Sequence, residues 1–141
     1  MAGFLVPIRE YSQQTLAAVQ FALELHKRTG ARQHFLFITS ATPVSEVAAP
    51  SGNEINSVRK IIEDLLAREI LENGKYLKNH HRIGEFFETV RDVVQQKHID
   101  EIIMAVPSES DPRYPKISQD IAVLMQMTHC RVLTIHPKKG S

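Results

Sequence analysis

The chain has 141 residues, near the common size of one domain, and is long enough to bury a core of its own. With 43% hydrophobic and 23% charged residues it has the composition of an ordinary globular protein, which excludes disordered and fibrous classes. Seventeen Lys and Arg against sixteen Asp and Glu leave a formal charge of +1, too little to draw nucleic acid or an anionic membrane by an overall field.

Gly3 to Ile8 is a short apolar run ending in polar residues, as a buried strand requires. Ser12 is placed to cap a helix with Ala18, Phe21, Ala22 and Leu25 on one face, Lys27 and Arg28 in the last turn, and Gly30 as its stop. His34 to Thr39 reads as a second strand, and the Ser, Thr, Pro and Gly residues from Ser40 to Asn53 read as a long loop. Val58, Ile61, Ile62, Leu65 and Leu66 then mark a helix from about Asn56 to Asn73, packed on the sheet. Tyr76 to Ile83 is a weak strand, and Gly84 precedes a third helix with Phe87, Val90, Val93 and Val94 on one face and an exit at His98. Ile99 to Val106 is a strand, Pro107 to Pro115 a loop, and Ser118 is expected to open a fourth helix carrying Ile121, Leu124 and Met125 inward. Arg131 to His136 is the last strand, followed by a solvated tail from Pro137.

Strand and helix alternate throughout, which favours a parallel sheet with helices on both faces, joined by right-handed crossovers in one domain over 1–141. No internal repeat or low-complexity segment interrupts that pattern. No apolar run reaches the length of a membrane helix, and Met1 to Ile8 lacks the pattern of a signal peptide, so a cytoplasmic protein is expected, with no membrane insertion.

Little in the sequence speaks for catalysis. Cys130 is the only cysteine, which excludes an intrachain disulfide and a cysteine zinc cluster, and its place before an apolar run marks it as a small buried hydrophobe. The seven histidines lack paired helical spacing, and His80 and His81 sit side by side on a strand, where they point to opposite faces. Ser108, Ser110 and Ser118 have no identifiable His and carboxylate partners, and neither a Gly-x-x-x-x-Gly-Lys nor a Gly-x-Gly-x-x-Gly loop is present. Ser118 is most simply a helix cap. Arg9, Glu10 and Tyr11 follow the first strand, where charge or stacking suits them to an anion or a planar ring.

The opening FLVPI, the helix ending ALELHKRTGA, the strand HFLFI, the run HIDEIIMAV and the final CRVLTI resemble the universal stress proteins in order and spacing over nearly the whole chain. That resemblance to UspA-like domains implies an α/β fold of the adenine nucleotide alpha hydrolase-like type, with an open five-stranded parallel sheet in the order 3-2-1-4-5. It also implies a homodimer formed through the last strand, here Val132, Leu133 and Ile135. It places a ligand crevice at Arg9, Glu10, Ile38, Gly84, Ala105, Ser108, Arg113 and Ser118. In ATP-binding members an aspartate follows strand one, and a loop of the form glycine, two residues, glycine, nine residues, glycine and Ser or Thr follows strand four.

The loop from Ala105 to Ser118 departs from that form at every glycine: Ala105, Ser108 and Ile117 stand in their places, one residue is missing, and only Ser118 is kept. Arg9 and Glu10 replace the aspartate. Glu109, Asp111 and Asp120 add carboxylates where a triphosphate would lie, offset in part by Arg113 and Lys116. The expectation is therefore a non-catalytic regulatory module without a cofactor, working by contact with a protein partner. The alternative is a sensor of AMP, ATP or a cyclic dinucleotide through a rearranged Ser and Arg loop. Slow ATP hydrolysis would need Glu10 to stand in as a metal ligand.

Overall fold

The computed structural model describes residues 3–40 and 52–137. Along them lie β1 (Gly3–Ile8), α1 (Gln13–Thr29), β2 (Arg32–Thr39), α2 (Gly52–Asn73), β3 (Leu77–Ile83), α3 (Phe86–Lys97), β4 (Glu101–Ala105), α4 (Tyr114–Met127) and β5 (Arg131–Ile135). The strands form one sheet in the order β3-β2-β1-β4-β5, with every neighbouring pair parallel. The expected α/β architecture and strand order are both present.

Because helices cover both faces, the central strands are nearly continuous apolar runs whose alternate side chains enter two separate cores. Phe4, Val6, Ile8, Phe35 and Phe37 pack with Leu16, Val19 and Leu23 of α1 and Val58, Ile62 and Leu66 of α2. Leu5, Leu36, Ile38, Ile102 and Met104 pack on the other side with Val90, Val93 and Val94 of α3 and Leu124 of α4. Cys130 closes the edge of this second core, its thiol donating to the Ile99 carbonyl at 3.2 Å, and burial raises its pKa. It is the buried small residue the sequence suggested.

Local chemistry sets the helix ends. Ser12 Oγ accepts from the Thr15 amide at 3.2 Å, and Gly30 closes α1 in the left-handed region at φ 73° with its N–H on the His26 carbonyl. Glu85 caps α3 through the Glu88 amide at 2.8 Å, and His98 ends it at φ 54°. At α4 the structure corrects the sequence. The helix starts at Tyr114, with Pro115 in its first turn, and Ser118 lies one turn inside, exposed and capping nothing. Proline reads as a loop signal in sequence, yet at the first positions of a helix its missing N–H costs nothing.

Side-chain exposure brings further corrections. Phe21, Ile61 and Met125 are 38%, 48% and 59% exposed, at the borders of stripes whose centres are Leu16–Val19–Leu23, Val58–Ile62–Leu66 and Ile117–Asp120–Leu124. Helix α2 begins at Gly52, four residues before the expected Asn56, and the rest of the loop expected from Ser40 to Asn53 lies almost wholly outside the described residues. His80 and His81 do point to opposite faces, His80 stacking on His34 and His81 on Phe37.

Candidate functional site

The strand order reverses between β1 and β4, and in an open parallel sheet a ligand crevice lies there, outside the carboxyl ends of the strands. Pro7, Arg9 and Glu10 from β1 and its turn, Met104 and Ala105 from the end of β4, Gln14 of α1, Phe86 of α3 and Ile117 of α4 enclose that position. Only about 40 Å³ is open between them, against the several hundred of a small-molecule site.

The chain's own side chains fill the rest. Arg9 lays its guanidinium over the Phe86 ring, 4.0 Å from the centroid, and its Nη2 donates to Asp120 Oδ2. Asp120 is 1% exposed, and its other oxygen accepts from Lys116 Nζ at 3.0 Å. A buried carboxylate needs such partners, because an unpaired charge there is strongly destabilising. Asp120 therefore does not present charge to a triphosphate, as its sequence position suggested; it ties α4 to the turn after β1.

The loop before α4 is similarly self-satisfied. Asp111 accepts from the Arg113 amide at 2.8 Å and from its Nε and Nη2 at 3.1 and 2.9 Å. Those bonds hold the Asp111 carboxyl down at about 2, well below the usual carboxylate range. The same guanidinium donates to Gln14 at 2.9 Å and stands 3.9 Å from Glu10. Arg113 and Lys116, expected to offset part of the carboxylate charge facing a triphosphate, are both engaged with carboxylates of the chain itself.

Of the eight positions assigned from the sequence, Arg9, Glu10 and Ala105 line the crevice and Arg113 reaches it through Glu10 and Gln14. Ile38 is buried in the second core. Gly84 closes the turn out of β3, its N–H on the Thr39 carbonyl at 3.0 Å, and a Cβ there would press on Thr89 Oγ1 at 3.0 Å. Ser108 is exposed beside Ser110, their hydroxyls 3.1 Å apart, and Ser118 is exposed on α4. Tyr11 is turned away, under Arg59 of α2. Sequence reasoning missed Gln14 and Phe86 as lining residues and the inward turn of Asp120. The last had a signal: Ile117, Asp120 and Leu124 lie on one helical stripe, and a carboxylate on such a stripe calls for a cation opposite.

No protein-family model and no curated protein matches the chain. Solved structures do. UspA from Lactobacillus plantarum superposes with a TM-score of 0.62 at 17% identity, over 95% of this chain and 97% of that one. The chain has the universal stress protein fold. A universal stress protein in complex with cAMP aligns at 0.62 and 15% identity, over 97% and 98% of the two chains. A universal stress protein family protein from Arabidopsis thaliana with AMP bound aligns at 0.53 and 12%, over 99% and 94%. The universal stress protein fold thus spans nearly all of each chain while very little sequence is shared.

Proposed function

We propose that this chain is a universal stress protein-like regulatory module that performs no catalysis, does not hold ATP in the family manner, and acts as a homodimer through protein contacts. The observation that carries this reading is the ion-paired plug in the crevice. Arg9, which lines the crevice where a nucleotide would sit, is held over Phe86 by the buried Asp120, itself paired with Lys116, and about 40 Å³ is left. The absent glycines point the same way, since side chains at Ala105, Ser108 and Ile117 keep backbone N–H groups from approaching a phosphate closely. Glu10, the only substitute for a metal-binding aspartate after β1, faces Arg113. A cytoplasmic setting fits a chain whose described helices include none long and apolar enough to cross a membrane.

A second reading is a nucleotide sensor for AMP, ATP or a cyclic dinucleotide. It is favoured by the solved relatives in fold that carry cAMP and AMP, and by Arg113, whose position beside the crevice suits an anion once Asp111 releases it. Thermal denaturation with AMP, ATP, cAMP and cyclic dinucleotides, on the wild type and on Arg113→Ala, separates the two. A ligand at a hundredfold excess over its Kd stabilises by about 2.7 kcal/mol. The module reading expects no shift that depends on Arg113. A saturable shift abolished by Arg113→Ala would replace it with the sensor.

A further inference from the structure

At the opposite end of the sheet lies a much larger cavity, about 320 Å³, bounded by Gly3 of β1, Arg32 of β2, the segment Lys75–Lys78 entering β3, and Gln96–His98 at the end of α3. Arg32, Lys75, Lys78 and Lys97 line it, and no acidic residue does. Among the described residues none of these four cations is in an ion pair, whereas Lys27, Arg28, Arg59, Arg113 and Arg131 each have a carboxylate within 4 Å. With a formal charge of only +1 over the whole chain, this convergence is a local arrangement and not a general excess of basic residues.

We infer that this cavity binds a small polyanion carrying two or more phosphate groups. Four like charges around one opening repel each other, and an anion among them converts that repulsion into attraction. Lysine ammoniums and an arginine fork are the groups that take phosphate. A single charge would answer one or two of the four, so several linked phosphates match the arrangement better than one. The volume stands at the lower end of small-molecule sites, and Tyr76 and Gln96 complete the lining with uncharged groups.

The imidazoles beside the cavity register its field. His34 Nδ1 and His80 Nε2 are 2.9 Å apart across β2 and β3. His34 is lowered to about 4 by burial and by the positive charges of His80, Lys97, Arg32 and Lys78. His80 is lowered by burial and by Lys97, Arg82, His81 and Lys78. Two features oppose an anion: the negative end of the α3 dipole, and Asp100 at the rim, which accepts from the Gly3 amide at 3.3 Å. Lys97 in the last turn of α3 counters the first, and Asp100 lies outside the lining.

Titration calorimetry with inorganic tripolyphosphate tests the site on the full chain. Saturable one-to-one binding is expected, weaker at high salt, with Kd raised about tenfold by Lys78→Ala/Lys97→Ala and unchanged by Arg113→Ala. Both lysines are exposed, so the double variant should keep its fold, and Arg32→Ala gives an independent check. The His34 pKa, followed by NMR, should rise when the anion is bound. Absence of saturable heat overturns the inference, as does orthophosphate binding as tightly as tripolyphosphate. A single-stranded oligonucleotide that binds where tripolyphosphate does not would overturn it in favour of a nucleic-acid surface. Loss in Arg113→Ala with the lysine variant unaffected would overturn it by placing the anion in the crevice. An ATP-induced shift that survives Arg113→Ala and disappears in the lysine variant supports this cavity and leaves the reading of the crevice intact.

Discussion

Gln33 is fully buried in β2, in register with Phe4 of β1 and Leu77 of β3, and neither its Nε2 nor its Oε1 meets a hydrogen-bond partner among the described residues. A buried amide without partners forfeits its hydration and gains nothing in return, a penalty of about 1–3 kcal/mol. Gln33→Leu, similar in volume and apolar, should therefore raise the unfolding free energy by about 1–3 kcal/mol in urea titration. A loss of stability would show that an internal water satisfies the amide. No pattern in the sequence marks Gln33 as buried, because the apolar run that signals this strand begins only at His34, one residue after it. Asp120 was legible in part: its helical stripe marks it as inward, but its partner Arg9 lies 111 residues away in the chain. Arg9 itself was legible, since the strand end before it fixes its place at the mouth of the crevice.

The ends of α1 were readable because capping is short-range chemistry. A Ser with a free hydroxyl before the helix and a Gly after it mark both limits, and the structure uses both. Gly30 stands at φ 73° with nothing within 4 Å of the place a Cβ would take, so a substitution there meets only backbone strain. Gly30→Ala should cost about 1–2 kcal/mol, the usual penalty of a left-handed L-residue, measurable as a lower midpoint in chemical denaturation. No change in the midpoint would mean that α1 frays at its end without consequence for the core. The start of α4 was not readable by the same logic. Its N-cap is Arg113, which makes no side-chain cap bond, and the Asp111 carboxylate orders the turn before it. Without a Ser, Thr, Asp or Asn at the cap position, the first such residue downstream, Ser118, drew the boundary a turn too far.

The order of elements and a parallel sheet covered by helices on both faces were legible at the scale of the whole molecule, because the strands read as apolar runs and the connections are of crossover length. What covers the free edge of β5 is a different question, answered by energetics and not by pattern. Val132, Leu133 and Ile135 are only partly buried, packed against the margins of the two cores, and Lys138 and Lys139, the other means of guarding the edge, lie outside the described residues. An unpaired strand edge of this composition is a template for another strand, and pairing with a second copy would satisfy it in a closed, two-fold arrangement. Light scattering on the size-exclusion peak should give twice the monomer mass at micromolar concentration. Leu133→Lys should halve that mass while leaving the far-UV circular dichroism unchanged. Because Val132 faces the opposite core from Leu133, Val132→Lys gives the same outcome if the shared feature is the strand edge. If the wild-type chain elutes as a monomer, homodimer pairing is overturned and the β5 edge is left as the surface offered to a different protein.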